Sequence, residues 1–152
     1  MQQRVKDIIN TYLRKNSLFQ ELLNCIIRER DNLINQDIKG IWASLEEKQT
    51  ILESIEETKH YLNGISGRDI NFRDIPPDDR DKIMELSRTL IRLRQEIKVR
   101  VKENVSFINE TLEFFNEMIS VMTMNEADKC NSYGPSGISR RGLRSVIYQG
   151  EV

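Results

Sequence analysis

The segment "DRDKIMELSRTLIRLRQEIKVRV", from Asp79 to Val101, decides the fold, because its apolar residues recur at intervals of three and four. That interval is the period of an α-helix and differs from the two-residue alternation of a β-strand. The residues of this apolar stripe are Ile83, Leu86, Leu90, Leu93, Ile97 and Val101. Neither proline nor glycine interrupts the chain from Asp79 to Ala127. The pattern therefore predicts one helix over residues 79–127, about 70 Å long at ~1.5 Å per residue.

Two more helices are predicted before this one. From Val5 to Ile34 the apolar residues again fall at helical intervals, which predicts a first helix over residues 3–36. Asp37 follows, and its carboxylate is suited to accept hydrogen bonds from the free amides that open a helix. A second helix is therefore predicted over residues 37–62.

The second predicted helix carries a seven-residue apolar repeat with Lys48 and Lys59 on its seam. Both ammonium groups are expected to extend along the apolar surface toward water. Asn63 and Gly64 favour the left-handed conformation that closes helices, so the second helix is expected to end there. Regular helix is not expected in the linker over residues 63–78, because of its glycines and prolines. These are Gly64, Gly67, Pro76 and Pro77.

The predicted fold is all-α: an elongated antiparallel bundle of three long helices, packed like a coiled coil, over residues 1–127. Asp78 or Asp79 is expected to cap the third helix. Residues 128–152 are expected to form a flexible C-terminal tail. The residues that stop the helix there are Gly134, Pro135 and Gly137. Trp42, near the start of the second helix, is expected to be buried, as tryptophan usually is.

Composition argues against several functional classes. The chain has 23 basic and 24 acidic residues, so its net charge makes no case for binding nucleic acid. No run approaches the ~20 apolar residues that span a bilayer, so direct membrane insertion is not expected. The N-terminal segment lacks the apolar core of a signal peptide. Cys25 and Cys130 are expected to be free thiols in a reducing compartment, and a cytoplasmic location is expected.

The sequence also lacks the residue patterns of an enzyme. Its one histidine, His60, has no cysteine or histidine partner at metal-ligand spacing, and is expected to be a solvated residue near a helix end. No glycine-rich phosphate loop precedes a helix. We therefore expect no catalytic residues, no metal and no cofactor, and look for function on the helical surface and the tail.

The second half of the third predicted helix has a much broader apolar surface than the first. Its apolar residues spread over roughly half of the helical circumference. They are Phe107, Ile108, Leu112, Phe114, Phe115, Met118, Ile119, Val121 and Met122. Either the first helix encloses this surface at the end of the bundle, or the surface is left open for a partner. Its methionines suit a surface that accepts more than one shape.

Two stretches carry a resemblance to a known family. The segment "LFQELLNCIIRERDNLINQDIKGIWASLEEKQTIL" runs from Leu18 to Leu52, and "YGPSG" runs from Tyr133 to Gly137. The matching positions are Glu29, Leu33, Asp37, Leu45, the Glu46-Glu47-Lys48 step, Leu52, Asn104 and Asn109. In this order and spacing the chain resembles the FlgN family of flagellar export chaperones. Ser136 departs from the family pattern, which usually has an acidic residue there.

The resemblance implies a cytoplasmic chaperone for the hook-associated proteins that join hook and filament. It would bind their C-terminal segments, prevent premature polymerisation and deliver them to the flagellar type III export gate. The candidate client-binding residues, on the broad apolar surface, are Phe114, Phe115, Met118, Val121 and Met122. The tail motif would dock on the cytosolic domain of an export-gate membrane protein. Its candidate residues are Tyr133, Gly134, Pro135 and Gly137.

Two alternatives stay open at this point. A non-enzymatic helical adaptor, which binds a folded partner or forms a homodimer, would show the same heptads and the same lack of an active site. A nucleic-acid or anionic-membrane binder could use the basic residues of the tail, but these are few and lack an aromatic stacking platform. They are Arg140, Arg141 and Arg144. An ordinary frayed terminus with solubilising arginines also fits the tail.

Overall fold

The computed structural model describes residues 1–66 and 71–127. Its helices are α1 (Gln2–Ile34), α2 (Ile38–Ser66) and α3 (Pro77–Ala127), with one turn of 3₁₀-helix (Phe72–Asp74) before α3. No β-strand occurs in this described part of the chain. The prediction of an all-α fold with three long helices is therefore confirmed.

The chain forms two compact units, residues 1–112 and residues 113–152, and the structure describes the second through Ala127. In the first unit, the short turn between α1 and α2 reverses the chain, so these helices are antiparallel. Helix α3 runs parallel to α1. Asn16 Nδ2 donates to the Leu86 carbonyl at 3.1 Å, and Arg30 Nη1 donates to the Glu103 carbonyl at 3.0 Å.

The core of the first unit lies where the apolar stripes of the three helices meet. One cluster joins residues of all three helices: Phe19, Leu22, Leu23, Cys25, Ile26, Ile51, Ile55, Leu90, Leu93 and Ile97. A second, near the start of α1, contains Val5, Ile8, Ile9, Ile75 and Ile83. Full burial of one such aliphatic side chain contributes roughly 1.5–3 kcal/mol, so the predicted stripe of α3 is a main source of stability.

The turn between α1 and α2 shows how the sequence stops one helix and starts the next. Gln36 adopts the left-handed conformation with φ 57°. Its amide donates to the Leu33 carbonyl at 3.3 Å, and the Asp37 amide donates to the Asn32 carbonyl at 2.9 Å. This pattern satisfies the carbonyls at the end of α1. The predicted cap of α2 is present, because Asp37 Oδ1 accepts a hydrogen bond from the Gly40 amide at 3.0 Å.

Gly40 and Gly64 lie in the same helix, yet substitution with alanine should affect them in opposite directions. A Cβ atom on Gly40 would lie 2.6 Å from Asp37 Oδ2 and 2.7 Å from Asn32 Cγ, whereas a Cβ on Gly64 would meet nothing within 4 Å. Gly64→Ala should raise the free energy of unfolding by about 0.5 kcal/mol, through helix propensity alone. Gly40→Ala should lower it by about 1 kcal/mol, because the capping carboxylate must move. Urea unfolding measures both. Equal stabilisation by the two changes would show that the packing around Gly40 is unimportant.

The second helix does not end where the sequence predicts. Asn63 and Gly64 continue α2, which extends through Ser66, and none of the described glycines has a positive φ. Glycine permits the left-handed conformation but does not require it. The predicted linker over residues 63–78 is thus helical at both of its ends.

The start of α3 also differs from the prediction. The helix begins at Pro77, and the Pro76 carbonyl accepts from the Arg80 amide at 3.0 Å. Asp78 and Asp79 lie in the first turn of α3 and are not its N-cap. Proline suits the first helical position, since it lacks the amide that would otherwise stay unpaired there. The two carboxylates still favour this helix, through the positive end of its dipole.

A polar cluster of Glu29, Lys48 and Asn104 lies inside the bundle, with one residue from each helix. Glu29 is 4% exposed and Asn104 2%. Glu29 Oε1 accepts from Lys48 Nζ at 2.7 Å, and Glu29 Oε2 accepts from Asn104 Nδ2 at 3.2 Å. The Asn104 amide also donates to the Ile26 carbonyl at 3.2 Å. The expectation that Lys48 extends to water is therefore wrong: its ammonium group binds a buried carboxylate.

Three other side chains can be compared with their predictions. Lys59 does extend to solvent, with Nζ 3.5 Å from Glu56 Oε1. Trp42 is 65% exposed, so the prediction of its burial is wrong. Cys25 is fully buried, and its Sγ donates to the Ser44 carbonyl at 3.3 Å. Burial raises the pKa of the Cys25 thiol, so it stays protonated at neutral pH.

Candidate functional site

The last turns of α3 carry large apolar side chains that the structure leaves exposed. Every side chain from Glu113 to Glu126 is exposed. The exposed apolar fractions in this unit range from 38% for Met118 to 70% for Met124. A continuous group of such residues on a protein surface marks a binding site more often than single exposed apolar residues do.

Six of these residues share one half of the helix surface when placed at ~100° per residue. We call them the apolar face: Phe114, Phe115, Met118, Ile119, Val121 and Met122. The rings of Phe114 and Phe115 meet edge to face, with their centroids 6.1 Å apart and their planes at 66°. Together they form a rigid aromatic pair beside two flexible thioethers, a combination that suits an apolar helix as ligand.

The other half of this helix segment is polar and acidic. Glu117 lies at the edge of the apolar face, next to Val121, and Glu113, one turn earlier, lies farther round on the polar half. Asn116 and Ser120 complete the polar half. No lysine or arginine occurs between Glu103 and Ala127. Neither of these carboxylates therefore has a basic residue within one helix turn of it.

Part of the broad apolar surface is covered, and part is not. Phe107 and Ile108 are half-buried, and the Arg30 guanidinium lies over the Phe107 ring, 5.2 Å from its centroid. From Leu112, which is 51% exposed, to Met122 the apolar side chains are exposed. Phe107 and Ile108 belong to the first unit, whereas the exposed apolar side chains from Phe114 to Met122 belong to the second.

The five predicted client-binding residues all belong to the apolar face. The helical pattern of the sequence therefore located this exposed surface. Ile119, which is 56% exposed, belongs to it too and was not among them. The helical wheel contained the signal, since Ile119 follows Phe115 by four residues. The predicted gate-docking residues Tyr133, Gly134, Pro135 and Gly137 lie outside the described residues, as do Cys130 and the tail arginines.

The described residues offer neither a metal-binding group nor a membrane-spanning helix. Among the described residues no group of three or more His, Cys, Asp or Glu side chains could hold a metal ion. His60 is exposed, with Nε2 3.4 Å from Glu56 Oε1. No described helix is long and apolar enough to span a membrane.

A helical bundle with an exposed amphipathic helix segment is typical of helical proteins that act by binding other polypeptides. The comparison with known families is more specific. The chain matches the family described as FlgN protein over residues 1–141, and it belongs to that family. FlgN proteins are flagellar export chaperones, so the chain is a chaperone of flagellum assembly. Searches of curated proteins and of solved structures found no match.

The structure gives physical roles to four residues that carry the family resemblance. Glu29, Lys48 and Asn104 form the polar cluster, and Asp37 caps α2. Glu29, Lys48 and Asn104 therefore hold the helices together, Asp37 starts α2, and none of the four belongs to the apolar face.

Proposed function

We propose that this chaperone binds the C-terminal segments of hook-associated proteins on the apolar face and keeps them from polymerising before export. The observation that supports this proposal is the exposure of six large apolar side chains on one half of a helix. A client segment that is disordered before assembly can fold against such a surface. The apolar contact then offsets the cost of ordering the segment.

The apolar face fits a helical ligand. From Phe114 to Met122 it covers about 12 Å of helix, a little over two turns. A client helix would place its own apolar residues, spaced three and four apart, against this ridge. Glu117 would attract lysine or arginine along one edge of the client helix, which favours one orientation and speeds association.

We expect the chaperone to act in the cytoplasm. Its proposed cycle ends with delivery of the client to the flagellar type III export gate. Tyr133, with Gly134, Pro135 and Gly137, would dock on the cytosolic domain of an export-gate membrane protein. Tyrosine is suited to this role, because it brings a large contact area and loses little conformational entropy. Binding and release need no covalent step, so the proposed function requires neither catalytic residues nor a cofactor.

The test is calorimetric titration of the full-length chain with the C-terminal segment of a hook-associated protein from the same bacterium. We expect saturable binding of one segment per chain, with a negative heat-capacity change from apolar burial. Tyr133→Ala should keep client binding and lose binding to the cytosolic gate domain, whereas Tyr148→Ala should keep both. Absence of client binding would contradict the proposal. Self-association of the free chain in sedimentation experiments would then favour the helical adaptor.

A further inference from the structure

The middle of α3 is strongly basic, although the chain as a whole is nearly neutral. Residues 88–102 contain six basic residues and one acidic residue, whereas the rest of the chain contains 17 basic and 23 acidic residues. The six are Arg88, Arg92, Arg94, Lys98, Arg100 and Lys102. Such a local concentration produces a positive potential that the net charge of the chain conceals.

Four of these residues lie on the side of α3 opposite the core. The core side of this segment is formed by Leu90, Leu93 and Ile97, which are buried. On the opposite side, within an arc of roughly 120°, two exposed apolar residues lie among four basic ones. We call these six the basic strip: Arg88, Ile91, Arg92, Lys98, Val99 and Lys102. Ile91 is 54% exposed and Val99 56%.

The four cations of the basic strip form no ion pair with a carboxylate in the described part of the chain. No carboxylate there lies within 4.0 Å of the charged groups of Arg88, Arg92, Lys98 or Lys102, whereas the neighbouring Arg100 pairs with Glu103 at 3.4 Å. Arg88 and Arg92 are one turn apart, as are Lys98 and Lys102, and like charges at this spacing destabilise a helix. These two like-charge pairs oppose helix stability, which is expected of a surface whose cations pair with another molecule.

We propose that the basic strip docks an acidic amphipathic helix of another protein. From Arg88 to Lys102 the strip is about 21 Å long, which matches four turns of a partner helix. Ile91 and Val99 lie eight residues apart on the same side of α3, about 80° apart around its axis, so they would contact two apolar residues of the partner at a similar separation. Glutamates and aspartates flanking those residues would pair with the four cations.

Acidic residues bound the strip at both ends and fix the position of the partner. On the same side of α3, Glu85 precedes the strip and Glu103 follows it, and both are exposed. An acidic helix that slid along α3 by one or two turns would meet these carboxylates. Such repulsion disfavours the wrong registers, as it does in other specific helix pairs.

Two other anionic partners fit the strip less well. Single-stranded nucleic acid is usually held by aromatic side chains as well as cations, and the strip contains no aromatic residue. A helix that lies in an anionic membrane needs a broad apolar face, and Ile91 and Val99 alone do not supply one. The strip shares no residue with the apolar face and lies wholly within residues 1–112.

The test uses a synthetic probe with the full-length chain. The probe is a helical peptide of about 20 residues, with glutamates flanking two leucines that lie eight positions apart. We expect it to shift backbone amide resonances of residues 88–102, and its affinity to fall about tenfold between about 50 mM and about 300 mM salt. A peptide with lysines in place of the glutamates should not bind. Equal binding of the two peptides would overturn the proposal.

Two variants with the same change in charge locate the site. The strip variant carries Arg88→Gln, Arg92→Gln, Lys98→Gln and Lys102→Gln. The control variant carries Arg4→Gln, Lys6→Gln, Lys39→Gln and Lys82→Gln, all at exposed positions. The strip variant should lose at least about tenfold in affinity for the acidic probe and keep its melting temperature, because like-charge repulsion is removed. The control variant should bind as the original chain does, and equal loss in both variants would overturn the proposal.

Two further comparisons identify the type of partner. Ile91→Ser with Val99→Ser should weaken binding of the acidic probe several-fold, because the helix loses its apolar contacts. Duplex DNA and vesicles with about 30% phosphatidylserine should bind the strip more weakly than the probe does. Tighter binding of either to the strip would overturn the proposal. The strip variant should still bind the hook-associated segment, so this proposal and the proposed function can fail independently.

Discussion

Replacing Glu29 with alanine should lower the free energy of unfolding by about 3 kcal/mol, because the change breaks a buried charge pair. The Glu29 side chain is 5% exposed and the Lys48 side chain 18%, so water cannot readily replace the lost carboxylate. The Asn104 amide loses one of its two acceptors as well. For a chain of this size the loss corresponds to a melting temperature lower by about 10 °C, which scanning calorimetry measures.

A second ion pair across α1 and α2 provides the matched control. Glu47 pairs with Arg28, and their side chains are 47% and 53% exposed. Glu47→Ala should change the free energy of unfolding by less than about 0.5 kcal/mol, because water screens an exposed pair. The two variants make the same substitution in the same helix pair and differ mainly in burial. Similar losses in both would show that burial of the polar cluster contributes nothing to stability.

Phe115→Asp should raise the dissociation constant for the hook-associated segment by at least about 100-fold. The change removes an aromatic anchor from the apolar face and places a carboxylate where the client is expected to bury apolar surface. It also removes the edge contact with Phe114. The fold should be unaffected, since Phe115 is 47% exposed. Calorimetric titration measures the affinity, and circular dichroism measures the helix content.

The control for this prediction is the neighbouring residue. Asn116→Asp introduces the same carboxylate at an exposed position on the polar half of the same helix turn. It should change the affinity for the client less than about threefold, because the contact with the client is apolar. If Asn116→Asp weakened binding as much as Phe115→Asp does, added charge alone would explain the loss. The apolar face would then not be the client site.

Much of the fold was predictable because the deciding signals are local and periodic. The stripe of α3 needs only the helical period, and Ile83, Leu90, Leu93 and Ile97 are indeed buried. The cap at Asp37 follows from one residue type at one position. The apolar face could be predicted for the same reason, since its residues share one helix.

The polar cluster could not be predicted from helical periodicity and capping residues. Glu29 and Asn104 are 75 residues apart, and whether they meet depends on the relative rotation of α1 and α3. Without that information, Lys48 on an apolar seam is most simply expected to extend to water. For Trp42 the position in the repeat favoured exposure, since it follows Ile41 and lies off the seam, whereas the residue type favoured burial. The basic strip was missed because net charge was summed over the whole chain.

The polar cluster also constrains how this sequence can change over evolutionary time. Inserting one residue between Ile83 and Asn104 would rotate every later residue of α3 by about 100° relative to the stripe. Asn104 would then leave Glu29, and a charged side chain would enter the core. An insertion of seven residues restores the rotation to within about 20° but still moves Asn104 about 10 Å along the helix axis, away from Glu29. Homologous chains that keep the polar cluster should therefore differ in this region by substitution, and an alignment with single-residue gaps here should be realigned.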